Sequence, residues 1–374
     1  MELPGSNVNF GAFVEGIDLN DVNEDTFAQL RNAVYENQLV IIKGQQALTP
    51  SNHFDFVHRF DPTAQALHGH GTLKSVKETW KGAPSLLALG SVYNIPEAPG
   101  VRLVAAGWQG EDHYGLKDIT YDATTIRKTQ VNPPTKEEMD AGVVRFGRWH
   151  IDCAAYDLDP PKVTALRCLK LPQGREQTIR WDDGSGMEMK TRPGRTAYYN
   201  CEQLYEMLTA EEKAMADNSL VTYAPHPYKW ISGCQQDTIG ITIPQGQGKE
   251  VPQDQMPAFE FSKVKKYPMV WHNEVTGKPA FMVHAIIAQK LHIKRAANDV
   301  ELVIDDVDEV RKFLYPFARR MVTPENVLVA PYEEGDIAVW NNRGMQHGFL
   351  EYPVDIMGPR TMHQVNIAAS CPPS

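Results

Sequence analysis

The chain has 374 residues, with 37 Lys and Arg against 47 Asp and Glu, a formal net charge of −10. An apolar fraction of 42% supports a packed core and excludes a mainly disordered chain, while the acidic balance excludes a non-specific nucleic-acid binder, which needs a basic face. No stretch approaches the ~18 apolar residues of a membrane span, Met1–Gly11 lacks the basic and apolar parts of a secretory leader, and the five scattered cysteines contain no C-x-x-C pair.

A reducing, cytoplasmic location is therefore expected, with a small-molecule partner and neither nucleic acid nor membrane. A homo-oligomer is compatible with the chain. Its unusual component is 12 histidines.

In chain order, a helix is predicted from Asn23 to about Glu36. Phe27, Leu30 and Val34 share one face, and acidic residues crowd its first turn. Gln38-Leu-Val-Ile-Ile42 reads as a buried strand. Residues 61–142 are rich in Gly, Pro and charge, and are expected to form long loops with a lid character. Beyond Arg145 the pattern turns strand-like at Val163–Leu169, Gln177–Trp181 and Met187–Thr191, with a turn at Asp182–Gly186. Thr209-Ala-Glu-Glu212 is a capping box. Further strands are expected at Tyr267–Trp271, Ala280–His284, Gly335–Trp340 and Arg360–Ala368. Between them, Asp305–Met321 has a helical stripe of Val307, Val310, Phe313, Leu314 and Phe317. Residues 1–374 are expected to form one domain, mainly β with flanking helices.

Trp149-His150-Ile151-Asp152 carries the strongest chemical signal. On a strand, His150 and Asp152 point to one face and offer an imidazole beside a carboxylate. His347 is the candidate third ligand, expected where a strand ends in a polar turn. Two His and one carboxylate on one face of a metal leave open positions, the arrangement of non-heme Fe(II) oxygenases. Alone, an H-x-D tripeptide is more often structural. Arg360 lies thirteen residues after His347. An antiparallel hairpin would bring its guanidinium near the metal to clamp a carboxylate.

The order His150-x-Asp152, Thr178, Trp340-Asn-Asn-Arg-Gly-Met-Gln-His347, Arg360 resembles the taurine dioxygenase-like branch of Fe(II)/2-oxoglutarate-dependent oxygenases. Arg59–Pro62, His68–Gly71, Arg148–Asp152, Asp182–Gly186, Tyr223–Tyr228, Pro268–Trp271 and Thr276–Pro279 are similar to segments of the fungal xanthine/2-oxoglutarate dioxygenases. The resemblance implies a double-stranded β-helix (jelly-roll) core. It also implies iron on His150, Asp152 and His347, 2-oxoglutarate held by Arg360 and Thr178, and O2 as co-substrate.

The resemblance places Arg102, Asp122 and Asn366 in the substrate region. Arg102 and Asp122 together would suit a zwitterionic amino acid, which favours a free amino acid such as valine, oxidised by hydroxylation or aziridine ring closure. They are equally readable as solvated loop charges. Xanthine hydroxylation is the alternative, and a non-catalytic jelly-roll metal binder the second. Phe349 reads as an apolar cavity wall or a plain core residue. His68-Gly-His70 favours a lid or structural role over a second metal. His284 reads as a core residue or one standing behind the ligands, and Cys153 as packing. His226 is expected to shape a turn, Arg343 to order the turn before His347, and Lys263–Lys266 to be a solvated edge. Gly246-Gln-Gly248 is not followed by a helix opening and does not read as a phosphate loop.

Overall fold

The computed structural model describes residues 7–64, 68–70, 93–121, 127–240 and 250–374. Asp122, Gly71 and Gly246–Gly248 lie outside the described residues.

The fold is mostly β with helices packed outside. The largest sheet has eight strands, ordered Ala12–Val14, Leu39–Ile42, Ile337–Asn341, Val163–Lys170, Arg360–Asn366, Ala98–Trp108 and Tyr93–Ile95, with Thr120–Tyr121 added on Ala98–Trp108. The first pair is parallel and the rest antiparallel. A second layer contains Leu328–Val329, Thr196–Asn200 and Met345–Phe349. A three-stranded sheet of Val143–Val144, Gln177–Arg180 and Glu188–Thr191 adjoins it. The bridge between Phe146 and Leu350 ties the two small sheets together.

Alternation decides which side chains meet. In the Ile337–Asn341 strand, Ile337 and Val339 face Phe27, Leu30 and Val34 of the helix Glu24–Asn37. Ala338 and Trp340 face the other way, onto Tyr198, Leu328 and Met345 of the second layer. The second layer is in turn covered: Ala197 and Tyr199 pack among Val310, Leu314 and Phe317 of the helix Val307–Met321. Each fully buried side chain of this size contributes roughly 1.5–3 kcal/mol, so both faces of the large sheet are held by packing. The helix starts are fixed locally, Asn23 accepting from Thr26 N at 2.8 Å and Asp306 from Glu309 N at 3.0 Å. The Thr209–Glu212 capping box is present.

Three expectations need correction. Residues 61–142 include Ala98–Trp108, an 11-residue strand inside the large sheet. Its Gly and Pro residues disguise it, because its partners supply the order that its own alternation does not. Tyr267–Trp271 is two strands, Lys266–Pro268 and Val270–His272, in different sheets. The chain changes partner at Met269, whose N–H donates to Ser219 O at 3.0 Å. His347 sits inside the Met345–Phe349 strand, after the turn. That strand and Arg360–Asn366 lie in different sheets, so Arg360 does not share a hairpin with His347.

Candidate metal centre and its surroundings

His150 and His347 are paired by backbone, exchanging N–H···O bonds of 2.9 Å each way, with ring centroids 4.2 Å apart. The 149–153 segment makes this pairing as an isolated bridge and not as a regular strand. Two glycines permit the approach: a Cβ on Gly147 would stand 2.9 Å from Phe349 O, and one on Gly348 3.3 Å from Gly147 O. Asp152 completes the group, and ligand atoms of His150, Asp152 and His347 all lie within 4.8 Å of one another. This is the donor set of an open facial metal site.

The donors are held in ligand-ready states. His150 Nδ1 lies 2.7 Å from Arg148 O, so it donates there and leaves the Nε2 lone pair free. Burial pushes the Asp152 carboxyl up, but His347 and His70 pull harder and hold it well below the usual carboxylate range. Burial, then His150, lowers His347 to about 3, so it is neutral at physiological pH. The carboxylate is gripped from both sides: Oδ2 accepts from Thr164 Oγ1 at 2.9 Å and Gln364 Nε2 at 3.2 Å, and Oδ1 lies 3.2 Å from His70 Nε2. Asn342 clamps the Asp152 backbone, accepting from its N–H and donating to its carbonyl, each at 2.9 Å.

Groups that orient a ligand typically contribute ~10–100-fold to metal affinity or activity. Thr164→Val removes one donor to Asp152 with little change in shape. It is expected to weaken Fe(II) binding about tenfold without altering the far-UV circular dichroism. An unchanged binding isotherm would sink this account of Thr164.

Arg360 is buried in the opposite sheet and reaches across the interior. It donates to Gly194 O at 2.8 Å, and its Nη2 lies 3.3 Å from Thr196 Oγ1 and 3.5 Å from Tyr332 Oη. Thr196 pairs with Phe349 and Tyr198 with His347, which puts Arg360 against the second-layer strand adjoining the one that carries His347. Thr178 is buried, and its hydroxyl accepts from Lys190 Nζ at 2.6 Å. Lys190 is a neighbour that the sequence pattern did not single out. Phe349 lies two residues beyond His347 and is 40% exposed, so it is not a core residue.

Arg102 is brought to the site. It pairs with Gln364 in the large sheet, and Gln364 donates to Asp152. It is buried, so the reading of Arg102 as a solvated loop charge is corrected. Asn366 follows Gln364 on the same face and is fully buried.

The histidine inventory also changes. His68 and His70 stack at 5.3 Å beside Asp152, and His70 Nδ1 lies 2.9 Å from the Tyr228 hydroxyl, which donates to Cys153 O at 2.6 Å. His284 is buried with its ring 6.5 Å from His150 and its Nδ1 3.6 Å from the Cys153 sulfur. The His68-Gly-His70 pair was legible as a pair with a lid or structural role, but its loop sequence did not say that it would reach Asp152. The bridge between His68 and Ile367 and the bond from Gly69 N to Asn366 Oδ1 bring this segment there. Elsewhere, His226 has φ 47° and opens the short helix Pro227–Trp230. Arg343 binds Pro160 O and Cys371 O, tying the turn to the C-terminal segment. Lys263 is partly exposed beside Glu260, while Lys265 is tied to Asp159.

Comparison with known proteins now gives the site a context. Residues 101–366 match the model of the taurine catabolism dioxygenase TauD, TfdA family. The chain belongs to that family. It is 39% identical over 360 residues to the α-ketoglutarate-dependent dioxygenase bsc9 of Alternaria brassicicola, covering 96% of this chain and 89% of that protein. It is 36% identical over 375 residues to the α-ketoglutarate-dependent xanthine dioxygenase xan1 of Schizosaccharomyces pombe, covering 100% and 88%. Among solved structures, AAD-2 in complex with Mn(II) and N-oxalylglycine aligns at TM-score 0.57 and 14% identity over 100% of each chain. A taurine dioxygenase from Burkholderia xenovorans aligns at TM-score 0.54 and 16% identity over 99% of this chain and 92% of its own. As a TauD-family enzyme, the chain is an α-ketoglutarate-dependent dioxygenase, and the family implies 2-oxoglutarate and O2 as co-substrates. Among the described residues, no helix is long and apolar enough to cross a membrane.

Proposed function

We propose that the protein is an iron(II) oxygenase with a single jelly-roll domain. It couples oxidative decarboxylation of 2-oxoglutarate to C–H oxidation of a small polar substrate, and the best candidate is a free amino acid such as valine. The convergence of His150, Asp152 and His347 carries the reading. Their two imidazoles and one carboxylate fit Fe(II) with positions left for other ligands. Iron with 2-oxoglutarate and O2 supplies the oxidising chemistry, releasing succinate and CO2.

The chain's own groups do the positioning. His150, Asp152 and His347 hold the metal, Arg360 takes the distal carboxylate of 2-oxoglutarate, and Thr178 hydrogen-bonds that co-substrate. Trp340 and Tyr198 pack around His347, at 4.9 and 6.0 Å between ring centroids, and exclude water from one side. Phe349 forms the rim, while Arg102 and Asn366 face the substrate. Oxidation of a C–H bond ends in hydroxylation. Where an adjacent amine takes the carbon, it ends in ring closure, with two hydrogens lost and one oxygen atom leaving as water. Asp122 stays in this proposal as a partner for a substrate ammonium group.

Succinate release with a substrate panel tests the reading. Stimulation by valine-like amino acids is expected. Stimulation by xanthine alone would move the assignment to xanthine hydroxylation, which the similarity to xan1 favours. No 2-oxoglutarate turnover with any substrate, and no Fe(II) binding, would leave a non-catalytic protein. Arg360→Gln is expected to raise the KM for 2-oxoglutarate at least tenfold, since a charged hydrogen bond contributes about 1.5–3 kcal/mol. An unchanged KM would remove Arg360 from that role.

A further inference from the structure

Arg102 and Asn366 stand on neighbouring strands of the large sheet, one register step apart on one face. Arg102 Nε and Asn366 Nδ2 are buried and have no hydrogen-bond partner among the described residues. The Asn366 side chain is already oriented, because its Oδ1 accepts from Gly69 N at 2.8 Å, so its NH2 group points the other way. Gly69 is required for that contact: a Cβ there would stand 2.4 Å from Pro161 and 3.0 Å from Asn366 Oδ1. His68 is buried and lies beside Gln364. Among the described residues, the carboxylate that acts on Arg102 and His68 is Asp152 alone. A buried guanidinium N–H and a buried amide N–H without acceptors are costly unless something accepts from them.

We infer that Arg102 and Asn366 form an anion subsite that takes the carboxylate of a substrate carrying one net negative charge. The inference rests on the oxygenase reading above and narrows it. With Fe(II) in place and 2-oxoglutarate bound as a dianion, the buried side-chain charges of the described site residues are Asp152, negative, and Arg102 and Arg360, positive. The loaded centre then carries a formal charge of plus one, which a monoanion cancels. A zwitterion does not cancel it, and a cation adds to it. A carboxylic acid without an amine therefore binds at least as well as an amino acid. Burial lowers Arg102 to about 10, so its guanidinium stays charged at physiological pH.

The test is anaerobic calorimetry on full-length protein loaded with Fe(II) and 2-oxoglutarate, titrated with 3-methylbutanoate and with valinamide. These share a carbon skeleton but differ in charge. The expected result is at least tenfold tighter binding of 3-methylbutanoate. Arg102→Gln and Asn366→Asp should each weaken 3-methylbutanoate at least tenfold while 2-oxoglutarate affinity stays within threefold. The second variant keeps the oxygen that holds Gly69 and replaces the free NH2 with a charge of the wrong sign. Equal binding of valinamide, no measurable binding of 3-methylbutanoate, or full retention of its affinity in both variants would overturn the inference. If 2-oxoglutarate itself fails to bind the wild-type protein, the oxygenase reading falls and this inference with it. If it binds and the carboxylate does not, only the inference falls.

Discussion

Asp152→Asn is expected to abolish turnover and to weaken Fe(II) binding by more than the ~10–100-fold typical of groups behind the ligands. The substitution removes the only negative charge among the three donors. It also turns the hydrogen bonds around it against the site. Thr164 Oγ1 and Gln364 Nε2 both donate to Oδ2, so an amide NH2 placed there would face two donors, and the reversed rotamer would aim it at His70. The backbone should hold, because Asn342 binds the main chain of residue 152 on both sides. Fe(II) titration beside circular dichroism is the check. Retention of metal affinity within tenfold in a folded variant would show that the three side chains are not the metal centre.

Acid should unfold the protein well before its carboxylates are neutralised. On the outer face of the large sheet, His363 is buried against His113, with Nε2 atoms 2.8 Å apart, and His53 is fully buried with both ring nitrogens unpartnered. Burial, reinforced by Arg167, lowers His53 to about 3. Burial, then His113, lowers His363 to about 2. In the unfolded chain both titrate near 6.5. Above that pH neither state takes the proton and stability is intact. As pH falls from about 6.5 toward 3, only the unfolded chain binds it, and each histidine removes about 1.4 kcal/mol per pH unit.

At pH 5 the two together remove about 4 kcal/mol, a large share of the ~5–15 kcal/mol of a typical domain. Denaturant unfolding at pH 7.5 and 5.0 measures this difference. His53→Leu should reduce it by about 2 kcal/mol, because a neutral apolar side chain has no proton to take up. Equal stabilities at both pH values would contradict the burial argument.

Much of this protein was legible from residue order. The Phe27, Leu30 and Val34 stripe, the capping box at Thr209 and the β-branched run at Leu39–Ile42 are local signals, and local physics is enough to form those elements. His150, Asp152 and His347 were legible as a candidate set because their residue types match a metal chemistry, and the fold gathers them. The strand Ala98–Trp108 was not legible. Its order comes from Arg360–Asn366 beside it, a pairing across more than 250 positions that no local window samples. Thr164 and Gln364 were missed for a similar reason. Each is an ordinary polar residue until the fold sets it against Asp152.

The residue types thus determined which chemistry the chain can support and which short segments form helices and strands, because propensity, capping and ligand character act over a few residues. Tertiary structure decided where that chemistry is assembled. It put Arg360 in the sheet opposite His347 instead of in a shared hairpin, and it turned Arg102 from a charge in an apparent loop into a buried guanidinium near Asp152. The physical reason is the two-residue period of a strand. Once pairing fixes register, every second side chain is committed to the interior, whatever its sequence neighbours suggest.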